Sequence, residues 1–183
     1  MTLYVAARIL HIAGAFGIFM TLGVDLAGIS TLARARTTEQ VQRALEVYRI
    51  NGVLGPLSLV LLLVPGFYLA AQWGWPPWVR VAFMTLLLIV VVGAVVTRRS
   101  LGAIGRRVQG DDHRLDTETE RRLRDPILRS SFVFRAFLAV AIAMLMTVKP
   151  DMTKSLLIVG AAVAAAAILS VPLWMSSRSY ARA

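Results

Sequence analysis

Three ionisable side chains sit where the chain is otherwise apolar, and any chemistry is expected there. Arg8, His11 and Asp25 lie inside Leu3 to Leu32, the first long hydrophobic run. Ionisable groups are costly inside a bilayer, so they normally face a bundle interior or a polar cavity. At helical spacing Ala7, His11, Gly14, Ile18, Thr21, Asp25 and Gly28 fall on one stripe, small and polar where lipid-facing residues would be large. His11 has three readings: a hydrogen-bonding core residue that fastens this helix to a neighbour, an axial ligand for haem b or a similar porphyrin, or a proton relay or ion site shared with Asp25. The last two residues share a face but stand roughly 21 Å apart along a helix, so only a polar path could join them. Arg8, one turn before His11, either snorkels to the headgroups or captures an anionic group such as a lipid phosphate or a propionate. Asp25 is most economically explained by an ion pair with an arginine of another helix, Arg135 or Arg98.

Little else in the sequence carries chemistry. There is no cysteine, which removes disulfides, thiolate chemistry and Cys-ligated metals. His11 and His113 are the only histidines, and His113 falls in a polar loop, so no metal site is expected. No HExxH, Walker or GxGxxG pattern occurs, and no catalytic residue is assigned.

The elements that must hold these residues are membrane helices. Hydrophobic residues make up 57% of the 183 and charged residues 16%, against about 45–50% and 25% in soluble domains. One core of this size cannot hide that much apolar surface, so the bilayer is the better solvent. Five apolar segments are expected in a single all-α membrane domain spanning 1–183: about 3–32, 50–72, 79–97, 126–148 and 155–175. A four-span arrangement would require segment four or five to be re-entrant. Thr37 or Thr38 should cap a short helix over 39–49. Pro56, Pro65 and the glycines of segment two suggest a kinked, closely packed helix. Trp73, Trp75 and Trp78 read as an aromatic belt, and segment three reads as a lipid-facing filler. In the polar loop 98–130, the start reads as a continuation of helix three beyond the membrane, Gly110 to Asp112 as a break, Asp116 or Thr117 as a cap, and Asp125–Pro126 as a helix start. Arg129 and Arg135 are placed to snorkel.

The net charge of +10 is explained by topology without nucleic acid. Arginines crowd the first loop, the loop at 98–130 and the tail, while the other two connections are poor in them. The basic side is cytoplasmic, which puts the N-terminus out and the C-terminus in, in an inner (plasma) membrane. The same arginines would meet anionic lipid. Oligomerisation is left open.

Ile9-Leu10-His11-Ile12-Ala13-Gly14-Ala15, followed by a Gly-punctuated helix and a basic loop, resembles small bacterial integral membrane proteins of the uncharacterised DUF2269 family. More distantly it is similar to the HemJ protoporphyrinogen-oxidase and CopD copper-resistance membrane families, which also place a histidine early in helix one. The resemblance covers that opening motif and the general span layout and carries over His11 alone. HemJ-like enzymes are expected to pair that histidine with a lysine of a later helix. Here the only lysines, Lys149 and Lys154, fall in the connector between segments four and five. The expectation is therefore a non-enzymatic membrane protein binding a small ligand or lipid at the polar seam of helix one. A haem-dependent redox protein using His11 and a small proton-coupled transporter using Asp25 are the alternatives.

Overall fold

The computed structural model describes residues 2–108, 115–123 and 125–180. It is all-α: α1 Leu3–Arg34, α2 Thr38–Gln72, α3 Pro77–Val92, a π-helical turn Gly93–Thr97, α4 Arg98–Arg107, α5 Thr117–Leu123, α6 Pro126–Val148 and α7 Met152–Tyr180. Five helical stretches are long and apolar enough to cross a membrane: Leu3–Arg34, Thr38–Gln72, Pro77–Arg107, Pro126–Val148 and Met152–Met175. The last two are full-length helices, so neither is re-entrant. Large apolar side chains such as Phe16, Val53, Met84 and Ile168 point outward, as expected where lipid replaces water as solvent. The break read at Gly110 to Asp112, and His113, lie outside the described residues.

Helix starts follow the capping chemistry. Thr37, not Thr38, caps α2, its hydroxyl accepting from the Gln40 N–H. Asp125 accepts from the Ile127 N–H, with Pro126 at the first helical position of α6. Asp116 accepts from the Thr119 N–H, and hydrogen bonding from Thr119 holds its carboxyl below the usual range. Asp151 does the same for α7 through the Lys154 N–H.

Two sequence boundaries move. The short helix over 39–49 and segment two are one helix, because nothing between Arg43 and Asn51 breaks it and both halves pack on α1. The start of the loop at 98–130 continues segment three, as the sequence suggests, through the π turn into α4. Helix α7 passes Pro172 and runs to Tyr180. The long helices explain the basic end of the bundle. At 1.5 Å per residue, α1 and α2 reach about 48 and 52 Å, beyond a hydrocarbon core of about 30 Å. Their surplus turns pack on α4 and α5 around Leu32, Val41, Ala44, Ile104, Val108 and Leu123. Gln42 ties α2 to the end of α4 by donating to the Val108 carbonyl.

Helices α1 and α2 form an antiparallel hairpin whose register can be read from its small residues. A Cβ at Gly14 would come within 2.4 Å of the Leu62 backbone nitrogen, one at Gly17 within 2.2 Å of the Ser58 hydroxyl, and one at Gly28 within 2.4 Å of the Tyr48 ring. The stripe read from sequence is thus the seam against α2. The second layer is α3, α6 and α7, with α6 packed against α1, α3, α7 and the π turn. Segment three is therefore no filler: Trp78, Val79, Val81, Ala82, Thr85, Leu86 and Ile89 are buried. Helix α7 is the peripheral one, held by Ile158, Val159 and Ala162 and by Trp174, whose Nε1–H donates to the Ser130 hydroxyl.

Direct backbone packing at Gly14 gives a clear expectation. Gly14→Ala forces the α1 and α2 backbones apart and should destabilise the folded protein by about 1–3 kcal/mol, the usual range for overpacking. Gly23→Ala, which meets nothing within 4 Å, should leave stability unchanged or slightly raised. Unfolding of both variants in mixed detergent micelles measures the contrast.

Candidate functional site

Two polar sites lie along α1, one turned towards each end of the bundle. The first is centred on Asp25, which is 6% exposed. Its Oδ2 receives the Arg135 Nη1–H of α6 at 2.8 Å, and Arg135 is equally buried. The other arms of the guanidinium are also occupied. Nη2 donates to the Thr97 hydroxyl at 3.3 Å, and Nε donates to the Ser131 carbonyl at 3.3 Å. On α2, the Asn51 amide nitrogen donates to Asp25 Oδ1 at 2.7 Å and to the Thr21 carbonyl at 2.9 Å, and the Tyr48 hydroxyl donates to the Asp25 carbonyl at 3.1 Å. Asn51 Oδ1 is the one buried side-chain polar atom among the described residues left without a partner.

The local sequence builds this centre. Gly93 leaves room for the guanidinium: a Cβ there would stand 3.1 Å from Arg135 Nη1. The π turn that starts at Gly93 ends on Thr97, which meets Nη2. Single π turns are a common local answer where a helix must adapt to a site. Of the two arginines read as partners for Asp25, Arg135 is in place, so it does not snorkel; the Arg98 side chain lies outside the described residues. Thr97, Tyr48 and Asn51 are not among the sequence candidates, although an amide in the uncharged run Ile50 to Val79 is itself a signal.

The second site is a cavity of about 620 Å³ between the α1–α2 hairpin and the α3–α6 pair, at the end of the bundle that carries the tryptophans. Its wall is apolar, with Ile12, Phe19, Leu63, Ala82, Leu86 and Ile89 among the residues lining it. Arg8 and His11 of α1 and Lys149 at the end of α6 also line it, and no Asp or Glu does. Asp25 is not part of its wall. The structure therefore brings Arg8 and His11 together on the cavity and leaves Asp25 in a separate centre, as their axial separation requires.

His11 is held by α2. Its Nδ1 lies 2.8 Å from the Leu62 carbonyl oxygen. A carbonyl oxygen only accepts, so Nδ1 carries the hydrogen and a neutral ring keeps its free lone pair on Nε2. Gly66 makes the place for the ring: a Cβ there would stand 2.9 Å from Nδ1 and 3.0 Å from Cε1. Among the described residues Arg8 has no carboxylate within ion-pair reach and is exposed.

Lys149, in the connector as its sequence position suggests, is the C-cap of α6 in left-handed backbone, φ 51°, a conformation most at home with glycine. Its Nζ stands 5.5 Å from the centroid of the Trp73 ring and 5.9 Å from that of Trp78, and these two rings are 5.5 Å apart. The tryptophans are positioned by the turn after α2, where Gly74 and Trp75 both have positive φ. The Trp75 N–H donates back to the Ala70 carbonyl, Arg80 Nε–H donates to the Trp75 carbonyl, and the Trp75 ring packs on Phe67. Nothing local to the lysine reveals this arrangement in the sequence.

The Asp25–Arg135 pair makes a measurable prediction. Removing one member leaves the other buried and uncompensated, at a cost of about 3–5 kcal/mol. Asp25→Leu and Arg135→Met should each destabilise by that order. The double variant should cost less than either single change, because no buried charge remains. A double-mutant cycle of unfolding in detergent reads this directly.

No family model, no curated protein and no solved structure matches the chain.

Proposed function

We propose that this protein is a multi-pass inner-membrane binding protein whose cavity, lined by Arg8 and His11, takes up a small amphipathic molecule. The observation that carries this reading is the cavity itself. Its volume lies within the roughly 300–1,000 Å³ of small-molecule sites, and it combines a mainly apolar wall with a few convergent polar groups. Asp25, bonded to Arg135 and Asn51 and absent from the wall, serves to hold the bundle rather than to touch the ligand. That places the proton-coupled transporter behind the binding reading.

A second reading shares the cavity and rests on its own observation. Histidines that ligate metals usually donate their other ring N–H to a carbonyl or carboxylate, which fixes the ring and raises its basicity. The bond from His11 Nδ1 to the Leu62 carbonyl is of that kind, and it leaves Nε2 for an iron. The kinship with DUF2269 and, more distantly, HemJ-like membrane proteins belongs with this reading and is proposed on the same footing. Haem b would then be the cofactor, with His11 as axial ligand.

One preparation tests both. Protein purified in mild detergent from haem-replete cells should retain a small molecule in native mass spectrometry and lose it in Ala15→Phe, which fills the cavity. An empty protein would remove the binding reading. A Soret band that disappears in His11→Ala would make haem the occupant, whereas a colourless protein would leave the ligand reading alone.

Orientation follows from the arginines at 34–49, 98–130 and the tail, which put that end in the cytoplasm facing anionic lipid. The cavity then lies in the outer half of the membrane. A fluorescent-protein fusion after Ala183 should be bright and an alkaline-phosphatase fusion there inactive; the reverse pattern would invert the topology.

A further inference from the structure

We propose that the occupant of the cavity is a single-chain lipid acid, bound with its anionic head between Arg8 and Lys149 and its chain running inward along α1. This rests on the binding reading above and names the class of ligand. Three observations converge on it. The first is charge. The ionisable side chains on the wall are Tyr4, Arg8, His11 and Lys149, so the lining holds two cations and no carboxylate. A neutral ligand has no use for two cations exposed at the mouth of an apolar cavity, and a cationic ligand would be repelled by them.

The second is the separation of polarity along the cavity. Arg8, Trp73, Trp75, Trp78 and Lys149 gather where α1 starts and where α2 and α6 end. The lining at Phe19, Leu86, Ile89 and Ala139 is wholly apolar. Arg8 and Phe19 are separated by about 16 Å along α1, the length of a medium acyl chain. A cavity of about 620 Å³ takes one chain and not the two of a phospholipid.

The third is how Lys149 is held. Left-handed backbone at a non-glycine residue is unfavourable and persists where the surroundings impose it. Here it sends the side chain over Trp73 and Trp78. The ammonium is stored over ring faces, with no carboxylate in ion-pair reach among the described residues, and can turn to an arriving anion. Arg8, one turn before His11, supplies a second charge from the facing helix. A carboxylate and a phosphate head satisfy the same two cations, and the experiment separates them.

Tryptophan fluorescence provides the readout, since three of the four tryptophans line the cavity. In a Trp174→Phe background, the protein in a neutral maltoside detergent is titrated with three brominated quenchers of equal, medium chain length: bromododecanoate at a pH where it is ionised, a bromododecanoyl lysophosphatidylglycerol, and the neutral bromododecanoyl monoglyceride. Saturable quenching by one or both acids at a concentration about tenfold below that for the monoglyceride is expected. Which acid is tighter identifies the head. Arg8→Gln, an exposed change, and Lys149→Gly, which suits the left-handed backbone and spares the fold, should each weaken the acids by about tenfold and leave the monoglyceride unchanged. Equal saturable quenching by all three, or acid affinities untouched in both variants, overturns the lipid-acid assignment while the binding cavity stands. Quenching that never saturates with any probe overturns the cavity reading as well.

Discussion

The ion pair between Asp25 and Arg135 is the constraint on which the rest of the bundle depends. It is the point where the α1–α2 hairpin is fastened to the α3–α6–α7 layer, and around it α1, α2, the π turn and α6 each contribute a hydrogen-bonding group. Apolar packing alone fixes orientation poorly in a bilayer, because lipid tails solvate leucine as well as another helix does. A buried guanidinium with three directional donors and a carboxylate with defined acceptors set the rotation of each helix about its axis. Apolar contacts among Leu22, Ile89, Leu138 and Ala139 next to the pair then complete a junction whose geometry is already determined.

The α1–α2 seam is the complementary constraint. Residues whose numbers add to about 76 face each other down the hairpin, from Gly14 opposite Leu62 to Gly28 opposite Tyr48. The approach is closest at Gly14, Gly17 and Gly28. The cavity lies between the two layers rather than within the hairpin. At the basic end the surplus turns of α1 and α2 are closed by α4 and α5. The tryptophan end has no such cover, and the layers part there around the cavity.

Much of this was legible from residue types alone. Hydropathy placed the five spans, and intramembrane cost singled out Arg8, His11 and Asp25 and paired Asp25 with an arginine. Small residues on the stripe predicted a tight seam, though not which helix it would meet. Short-range capping rules located Thr37, Asp116 and Asp125. What escaped depends on three-dimensional closure. The cavity is a gap between helices far apart in sequence, so no window of residues contains it. The setting of Lys149 within its connector was hidden because left-handed backbone at a lysine has no compositional signal, and its tryptophan partners lie over 70 residues away. The π turn was equally hidden: Gly93 in an apolar run reads as an ordinary packing glycine until Arg135 is seen against it.

The two polar points of α1 thus divide the labour of the helix. Asp25 is surrounded on all sides by donors from neighbouring elements, and a group so fully bonded is suited to rigidity and poorly suited to exchange. His11 is bonded on one nitrogen only, and Arg8 beside it has no carboxylate partner among the described residues, so both retain unspent capacity facing the same apolar space. A rigid junction at one end keeps the layers from collapsing onto each other at the other. Ile89 and Ala139 belong to both parts, packing on Leu22 of α1 beside the ion pair and lining the cavity beyond it. The cavity thus begins where a junction fixed by a polar interaction ends, and that interaction takes no part in its lining.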